Sequence, residues 1–374
     1  MRDIAPQLKE WVAAGTPFGL ATVIGTSGSS PRPAGAAMAV SASGEAVGSI
    51  SGGCVEGAVY ETATDVLASG EPESARYGYS DDDAFAVGLT CGGILDVLVQ
   101  PADHALLGPA LDRVLADEPV ALATVVGGPG QLGAVLVVTP DGRAGTLGDP
   151  GLDHAVLADA RGMLSTGQTG TRHYGVHGER RVDDVAVFVS AFVPPPRMLV
   201  FGATDFAGAV SRIGVFLGYR VTVCDARPVF ATPRRFPEAH EVVCAWPHRY
   251  LEGASAQGLV DERTVIAVLT HDPKFDVPLL EVALRTRAAY VGVMGSRRTH
   301  TERLEKLRAA GLTDLELSRM RSPVGLDIGA RTPEETAVSI AAELVQARWG
   351  GTGKPLSETS GPIHVAPPPQ PVLA

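Results

Sequence analysis

No stretch of this sequence approaches the roughly 18 continuous apolar residues that a membrane-spanning helix requires, so no membrane span is expected. Cysteine is scarce, with four in 374 residues (Cys54, Cys91, Cys224, Cys244) and no Cys-x-x-Cys pair. That spacing argues against a disulfide framework or a structural zinc site, and for thiols in a reducing, cytoplasmic setting. Positive charge is also short. The 31 Lys and Arg stand against 42 Asp and Glu, a net charge of -11. Sequence-independent nucleic-acid binding needs a basic surface, so no nucleic-acid partner is expected. An anionic ligand would be held locally, by helix N-termini and a few arginines. The first residues, MRDIAPQLKEWVAAGTP, lack an apolar h-region and read as an amphipathic helix, not a secretion signal.

What is present suits a globular protein with a substantial core: 45% hydrophobic and 20% charged residues. The length exceeds one ordinary domain of about 100–200 residues. A proline run at 193–197 (VPPPR) can neither continue a helix nor pair in a central strand, and reads as a linker. The expected organisation is an α+β domain over 1–193, a second domain over 194–350, and a Pro, Gly and Ser-rich disordered tail over 351–374.

The first domain contains an internal repeat. LATVIG (20–25) recurs as LATVVG (122–127), and AVYETATDVLASG (58–70) as AVLADARGMLSTG (155–167). Each copy, about 17–101 and 119–193, reads as strand, hairpin, helix, strand, strand. The turns Ala42-Ser43-Gly44 and Pro140-Asp141-Gly142 carry good hairpin chemistry. Copy one adds a longer loop, 25–33, and an insertion, SDDDAFAVGLTCGG (80–93). Its Cys54 and Glu56 lie opposite Gly151 and Asp153 of copy two. Parts found only in copy one are where a site is expected, since loops on a rigid scaffold carry function.

The second half alternates strand and helix from RMLVFGATDFAGAVSRIGVFLGYRVTVCDAR (197–227) onward, which predicts a Rossmann-like, doubly wound parallel sheet. Further strands are expected at 241–246, 264–270 and 288–295, with helices at 276–287 and 297–310. Thr332-Pro333-Glu334-Glu335 reads as the capping box of a last helix.

Cys54 sits in Ser51-Gly52-Gly53-Cys54-Val55-Glu56-Gly57, with a helix expected to start at the cysteine. The helix dipole there would favour a thiolate, which can bind a soft metal, carry sulfur or act as a nucleophile. The alternative is a small buried cysteine filling a gap. Glu56 is a candidate proton acceptor, or a first-turn acid serving the helix. Cys91 and Gly92, in Thr90-Cys91-Gly92-Gly93, offer a second glycine-flanked thiol, or a structural residue. Arg32, stiffened between two prolines, suits an anion contact or plain solvation. Asp81-Asp82-Asp83 binds a cation or is a solvated acidic loop.

In the second domain Gly202 and Gly208 stand where a dinucleotide fingerprint belongs, but Thr204 and Ala207 replace its other glycines and Asp205 adds negative charge. Asp225, about 20 residues on, is placed to hold ribose hydroxyls. His271 ends the fourth strand of this domain, and Ser296 and Arg297 open a helix after the fifth. All three are candidates for a phosphate at the carboxyl ends of the strands. Cys224 and Cys244 read as core.

Together these residues resemble the XdhC/CoxI family, accessory factors for xanthine dehydrogenase and carbon monoxide dehydrogenase. ATVIGTSGSSPRPAGAAM, GSISGGCVEGAVYE, RYGYSDDDAFAVGLTCGG, LTHDPKFD, YVGVMGSRRTH and SPVGLDIGARTPEE carry the resemblance, over about residues 10–348. It implies a protein that binds molybdenum cofactor, as molybdopterin or its dinucleotide form. It also implies sulfuration of that cofactor with a cysteine desulfurase and delivery to an apo molybdenum hydroxylase subunit. Cys54 and Glu56 match the family's GCVE segment and Cys91 its CGG segment, which makes both cysteines candidate contacts to the cofactor's molybdenum. The turn at 202–205 departs from the family's usual Gly-x-Gly-His, which puts nucleotide binding in doubt. The competing function is an NAD(P)-dependent oxidoreductase using the Rossmann-like domain. A third reading is an adaptor that only docks partners. A homodimer is left open.

Overall fold

The computed structural model describes residues 1–28, 32–78, 93–360 and 363. Two compact units, Met1–Pro194 and Pro195–Thr359, divide the chain.

A 3-10 turn, Arg2–Ile4, leads into α1 (Ala5–Ala14). Copy one follows as β1 (Phe18–Ser27), β2 (Ala37–Ser41), β3 (Ala46–Gly48), α2 (Glu56–Ser69), β4 (Glu73–Tyr77) and β5 (Ile94–Pro101). The helix α3 (His104–Leu115) leads to copy two: β6 (Val120–Gly127), β7 (Val135–Val138), β8 (Arg143–Gly145), α4 (Pro150–Thr166), β9 (Gly170–Tyr174) and β10 (Val185–Phe192). The two five-stranded sheets have the same order, β3-β2-β1-β5-β4 and β8-β7-β6-β10-β9. Even their irregularity repeats. The register slips between Val23 and Gly25 against β5, and between Val125 and Gly127 against β10. A bulge in both copies at one place shows that the repeat extends to backbone detail.

Each sheet buries one face under its own helix. Val59, Ala63 and Val66 of α2 pack on Ala21, Val23, Val97 and Val99. Val156, Ala160 and Met163 of α4 pack on Ala123, Val125, Val187 and Val189. The opposite faces share a third core, where Leu8 and Trp11 of α1 and Leu107 and Leu111 of α3 meet Phe18, Leu20, Val120 and Val137. In this layer lies a cavity of about 60 Å³. Matching positions line it: Leu20 and Leu122, Thr22 and Thr124, Leu98 and Phe188, Gln100 and Ser190.

The second unit runs β11 (Arg197–Phe201), α5 (Asp205–Phe216), β12 (Arg220–Asp225), β13 (Glu241–Cys244), α6 (Pro247–Ala256), β14 (Val265–Val268), α7 (Pro273–Ala283), β15 (Tyr290–Val293), α8 (Arg297–Ala309), α9 (Asp314–Ser318), β16 (Met320–Arg321) and α10 (Pro333–Trp349). Its sheet is parallel, in the order β13-β12-β11-β14-β15-β16. The inner strands β14 and β15, and most of β11 and β12, are short apolar runs because both faces are covered. The expected capping box forms: Thr332 accepts from Glu335 N–H while the Glu335 carboxylate accepts from Thr332 N–H. Cys224 is buried, but Cys244 is exposed, unlike the core position expected, because it ends the edge strand β13. Residues 351–360 are exposed, with one 3-10 turn at Leu356–Glu358. No helix among the described residues is long and apolar enough to cross a membrane.

Candidate functional site

The helix after the cysteine loop begins at Glu56, two residues later than the sequence predicts. Cys54 therefore belongs to the loop, and is half-buried. Gly52 (φ 81°) and Gly53 (φ 117°) hold left-handed backbone, and a Cβ at either would meet nothing within 4 Å. Glycine is required here by backbone conformation and not by space.

The loop closes on one carboxylate. Glu56 Oε1 accepts from the Ser49 hydroxyl (2.7 Å) and from the N–H groups of Ile50 (3.3 Å), Ser51 (2.9 Å) and Gly52 (3.0 Å). Glu56 Oε2 accepts from the Ser51 hydroxyl (2.5 Å) and from the N–H groups of Gly53 (2.8 Å) and Val55 (3.3 Å). The Ser51 oxygen in turn accepts from Cys54 N–H (2.9 Å) and Val55 N–H (3.1 Å). Burial acts to raise the pKa of Glu56, but the Ser51 and Ser49 hydroxyls and the loop N–H groups outweigh it and hold the pKa well below the usual carboxylate range. As placed, Glu56 is an ionised anchor for the loop, a poor proton acceptor near neutral pH. Sequence reasoning passed over Ser49 and Ser51. Their only signal was a hydroxyl seven and five residues before the acid.

Copy two shows the undecorated version. Asp153, at the position of Glu56, accepts from Leu147 N–H (2.7 Å), as Glu56 does from Ile50 N–H. It is buried and paired with Arg143 at 3.3 Å, where copy one has Ala46. Gly151 stands at the position of Cys54. A Cβ there would lie 2.3 Å from the carbonyl oxygen of His177. The segment after β9 thus covers this position in copy two. The corresponding copy-one segment, with Asp81, Asp82, Asp83, Cys91 and Gly92, lies outside the described residues. Arg32 donates to Asp3 at 3.1 Å. The inter-sheet cavity is not lined by the cysteine loop, and the buried Oε1 of Gln100, which lines it, has no hydrogen-bond partner among the described residues.

In the second unit Gly202 (φ 109°) directly follows β11, and a Cβ there would press on Thr270 at 2.8 Å. Gly208, by contrast, faces open space, so no close approach requires a glycine there. Asp225 is buried, and its carboxylate accepts from Ala203 N–H (2.7 Å), Arg227 N–H (2.8 Å) and the Arg227 guanidinium (2.8 and 2.9 Å). Burial pushes its pKa up, but the Arg227 and Ala203 hydrogen bonds prevail and lower it. Asp205, in the first turn of α5, pairs with Arg235 at 3.4 Å. A ribose hydroxyl at Asp225 would compete with an arginine, and a pyrophosphate at α5 would meet Asp205. This geometry does not favour the nicotinamide reading.

His271 and Arg297 are exposed, and Ser296 caps α8 by accepting from Thr299 N–H at 3.1 Å. Beside them lies a network that sequence reasoning missed. Asp276 and Arg303, both buried, pair at 2.9 Å. Thr270 donates to Asp276, and Arg303 also reaches Met294 O (3.1 Å) and Ser322 Oγ (3.3 Å). Burial raises the Asp276 pKa against the pull of Thr270 and Arg303. Removing either charge would strand the other, at a cost of about 3–5 kcal/mol. The available signal was an arginine four residues before the buried Leu307, on the apolar face of α8. The structure gathers Gly52, Gly53, Cys54 and Glu56 into one loop. Along the strand ends of the second unit it places Gly202 against Thr270, the neighbour of His271, with Asp225 at the end of β12 and Ser296 and Arg297 after β15. Among the described residues, no three His, Cys, Asp or Glu side chains stand together to hold a metal ion.

Comparison with known proteins covers most of the chain. A sequence model described as the XdhC and CoxI family matches residues 11–78 and 114–175, and one described as the XdhC Rossmann domain matches 198–344. The chain is 29% identical over 337 residues to a Bacillus subtilis (strain 168) protein named as a probable xanthine dehydrogenase subunit, covering 88% of this chain and 92% of the relative. It is 28% identical over 330 residues to the Escherichia coli (strain K12) molybdenum cofactor insertion chaperone PaoD, covering 88% and 83%. The solved structure of a xanthine dehydrogenase from Bacillus halodurans shares the fold, with TM-score 0.66 and 24% identity over 95% of this chain and 98% of that one.

Proposed function

The chain belongs to the XdhC and CoxI family, and from that membership we propose that it carries a molybdenum cofactor to a molybdenum hydroxylase. The similarity to a molybdenum cofactor insertion chaperone supports this reading. The observation that carries it is the copy-one loop, where a half-buried thiol sits on a scaffold fixed by Glu56, Ser49 and Ser51. Such a loop suits a cargo whose metal arrives with its own dithiolene ligands. One thiolate can then touch the metal without building a full coordination shell.

In the finer reading, Cys54, with Cys91 from the adjoining segment, contacts the metal or the sulfur transferred to it. Gly52, Gly53 and Gly92 let the backbone come close, and Arg32 serves an anionic group. The chain holds the cofactor during sulfuration, with a cysteine desulfurase as sulfur source, and passes it to the apo hydroxylase subunit. Glu56 keeps the loop in shape and takes no proton. Gly202, Gly208, Asp225, His271, Ser296 and Arg297 are the candidates for any nucleotide portion of the cargo.

The test is direct. Wild type, Cys54→Ala and Cys91→Ala are purified from cells making the cofactor, and bound molybdenum and pterin are measured. Wild type is expected to retain both, and Cys54→Ala to lose most of them while keeping its melting temperature. Equal retention by Cys54→Ala removes Cys54 from the site. Absence of both from the wild type removes the carrier role.

A further inference from the structure

A groove of about 440 Å³ opens between α6 and α7 of the second unit. Helical spacing builds its walls. His248, Glu252 and Ser255 stand at i, i+4 and i+7 on α6, and Pro278, Glu281 and Val282 at i, i+3 and i+4 on α7, so each set shares one face. The volume falls within the range of small-molecule sites, about 300–1,000 Å³. None of the candidate residues described above lines it.

The polar groups of this groove are unmatched. Among the described residues, neither the Glu252 nor the Glu281 carboxylate has a hydrogen-bond or ion-pair partner. Arg285 follows Glu281 by four residues, the spacing of a helical ion pair. Its guanidinium nevertheless turns to Glu316 of α9, at 2.8 Å. His248 Nδ1 is buried, and it too has no partner among the described residues. Buried polar atoms are rarely left so. The groove therefore holds two uncompensated negative charges on opposite walls, with Glu281 half-buried.

We propose that this groove binds a linear organic cation with at least two alkylammonium groups, as in a polyamine, one group at Glu252 and another at Glu281. Geometry decides against a metal ion, since no three His, Cys, Asp or Glu side chains among the described residues converge to hold one. Positive charge must then arrive at two separate points, joined by a chain. Charge decides against an anion, because the guanidinium that lines the groove is already held by Glu316. Pro278 and Val282 offer apolar surface to the methylene spacers. Such binding does not depend on carriage of a molybdenum cofactor, so its failure leaves that role untouched.

The experiment is calorimetric titration of the full chain at about 0.15 M salt, where long-range attraction is screened. Spermidine is one probe. A blocked tetrapeptide with lysine at both ends is the other, presenting the same alkylammonium groups on a peptide backbone. Glu252→Gln, Glu281→Gln and a control, Asp65→Asn, which removes an exposed charge on α2, are titrated alongside. Wild type and Asp65→Asn are expected to saturate at one equivalent. Each glutamine variant is expected to bind about tenfold more weakly, through the loss of one charge-assisted contact. Tighter binding of spermidine assigns the groove to a free polyamine, and tighter binding of the peptide to the lysines of a partner. Circular dichroism checks that each variant is folded, and either glutamine variant suffices if the other is not. No saturable binding of either probe at millimolar concentration overturns the proposal. So does a folded glutamine variant that binds like wild type, or an equal loss in Asp65→Asn, the mark of diffuse attraction to a chain of net charge -11.

Discussion

Copy one and copy two of the first unit share strand order, helix position and a bulge at the same register, yet only copy one carries a thiol in the loop before its helix. In copy two the position of Cys54 is Gly151, roofed by the backbone of His177. The acid behind it, Asp153, is buried and neutralised by Arg143. In copy one the acid has one more methylene, lacks the arginine, and turns a whole loop of N–H groups and hydroxyls onto itself. The same carboxylate position therefore closes a structure in one copy and presents a cysteine in the other. Specialisation has been achieved by changing what the acid binds, leaving the sheet alone.

The comparison breaks most sharply if copy two is given the thiol. Gly151→Cys places a Cβ 2.3 Å from the His177 carbonyl oxygen. It is expected to cost about 2–3 kcal/mol by overpacking, seen as a lowered urea midpoint at unchanged slope. The reverse exchange, Cys54→Gly, should leave the midpoint nearly unchanged, and a comparable loss in both would erase the distinction between the copies.

Next come the acids. Glu56→Gln should cost about 2 kcal/mol, because a carboxamide turns its own N–H groups toward loop donors, while Asp153→Asn should cost about 1 kcal/mol. Urea unfolding of the pair decides it, and the opposite ranking would mean that Arg143 matters more than the loop. The pH dependence follows in sign. Glu56 titrates lower folded than unfolded, so its contribution is present above the unfolded carboxylate pKa and is lost as pH falls toward the folded value. From about pH 5 downward, wild type should lose stability faster than Glu56→Gln. Parallel curves would show that the loop does not depend on the charge.

The smallest effect is a control on the scaffold. Gly162, exposed in the interior of α4, has nothing within 4 Å of an added Cβ. Gly162→Ala should stabilise by about 0.5–1 kcal/mol through helix propensity, with cargo binding untouched.

The repeat, the hairpins, the parallel sheet and the capping box at Thr332 are legible in the sequence because each rests on a local signal: period, turn residues or a cap. The loop is legible as a place but not as a mechanism. Glu56 reads as a first-turn acid whether its carboxylate points to solvent or back along the chain, and only the fold of Ser49–Val55 decides. The helix starts two residues late because Gly52 and Gly53 take left-handed backbone, which delays the first helical turn. Arg303 leaves a trace, an arginine on the apolar face of α8, but its partner Asp276 does not, since the ion pair joins residues 27 apart and no spacing rule relates them. Asp225 stands in the expected place, but nothing in the fingerprint marks Arg227, two residues on, as its partner.

The Glu56 carboxylate has a further consequence for the timing of order. A glycine-rich loop ordinarily keeps much of its backbone freedom until a ligand arrives, and the ligand then bears the entropy of arranging it. Here seven hydrogen bonds to a single side chain fix the loop when the protein folds. An incoming molecule meets a rigid rim whose shape is already decided, and selectivity becomes a question of fit instead of persuasion.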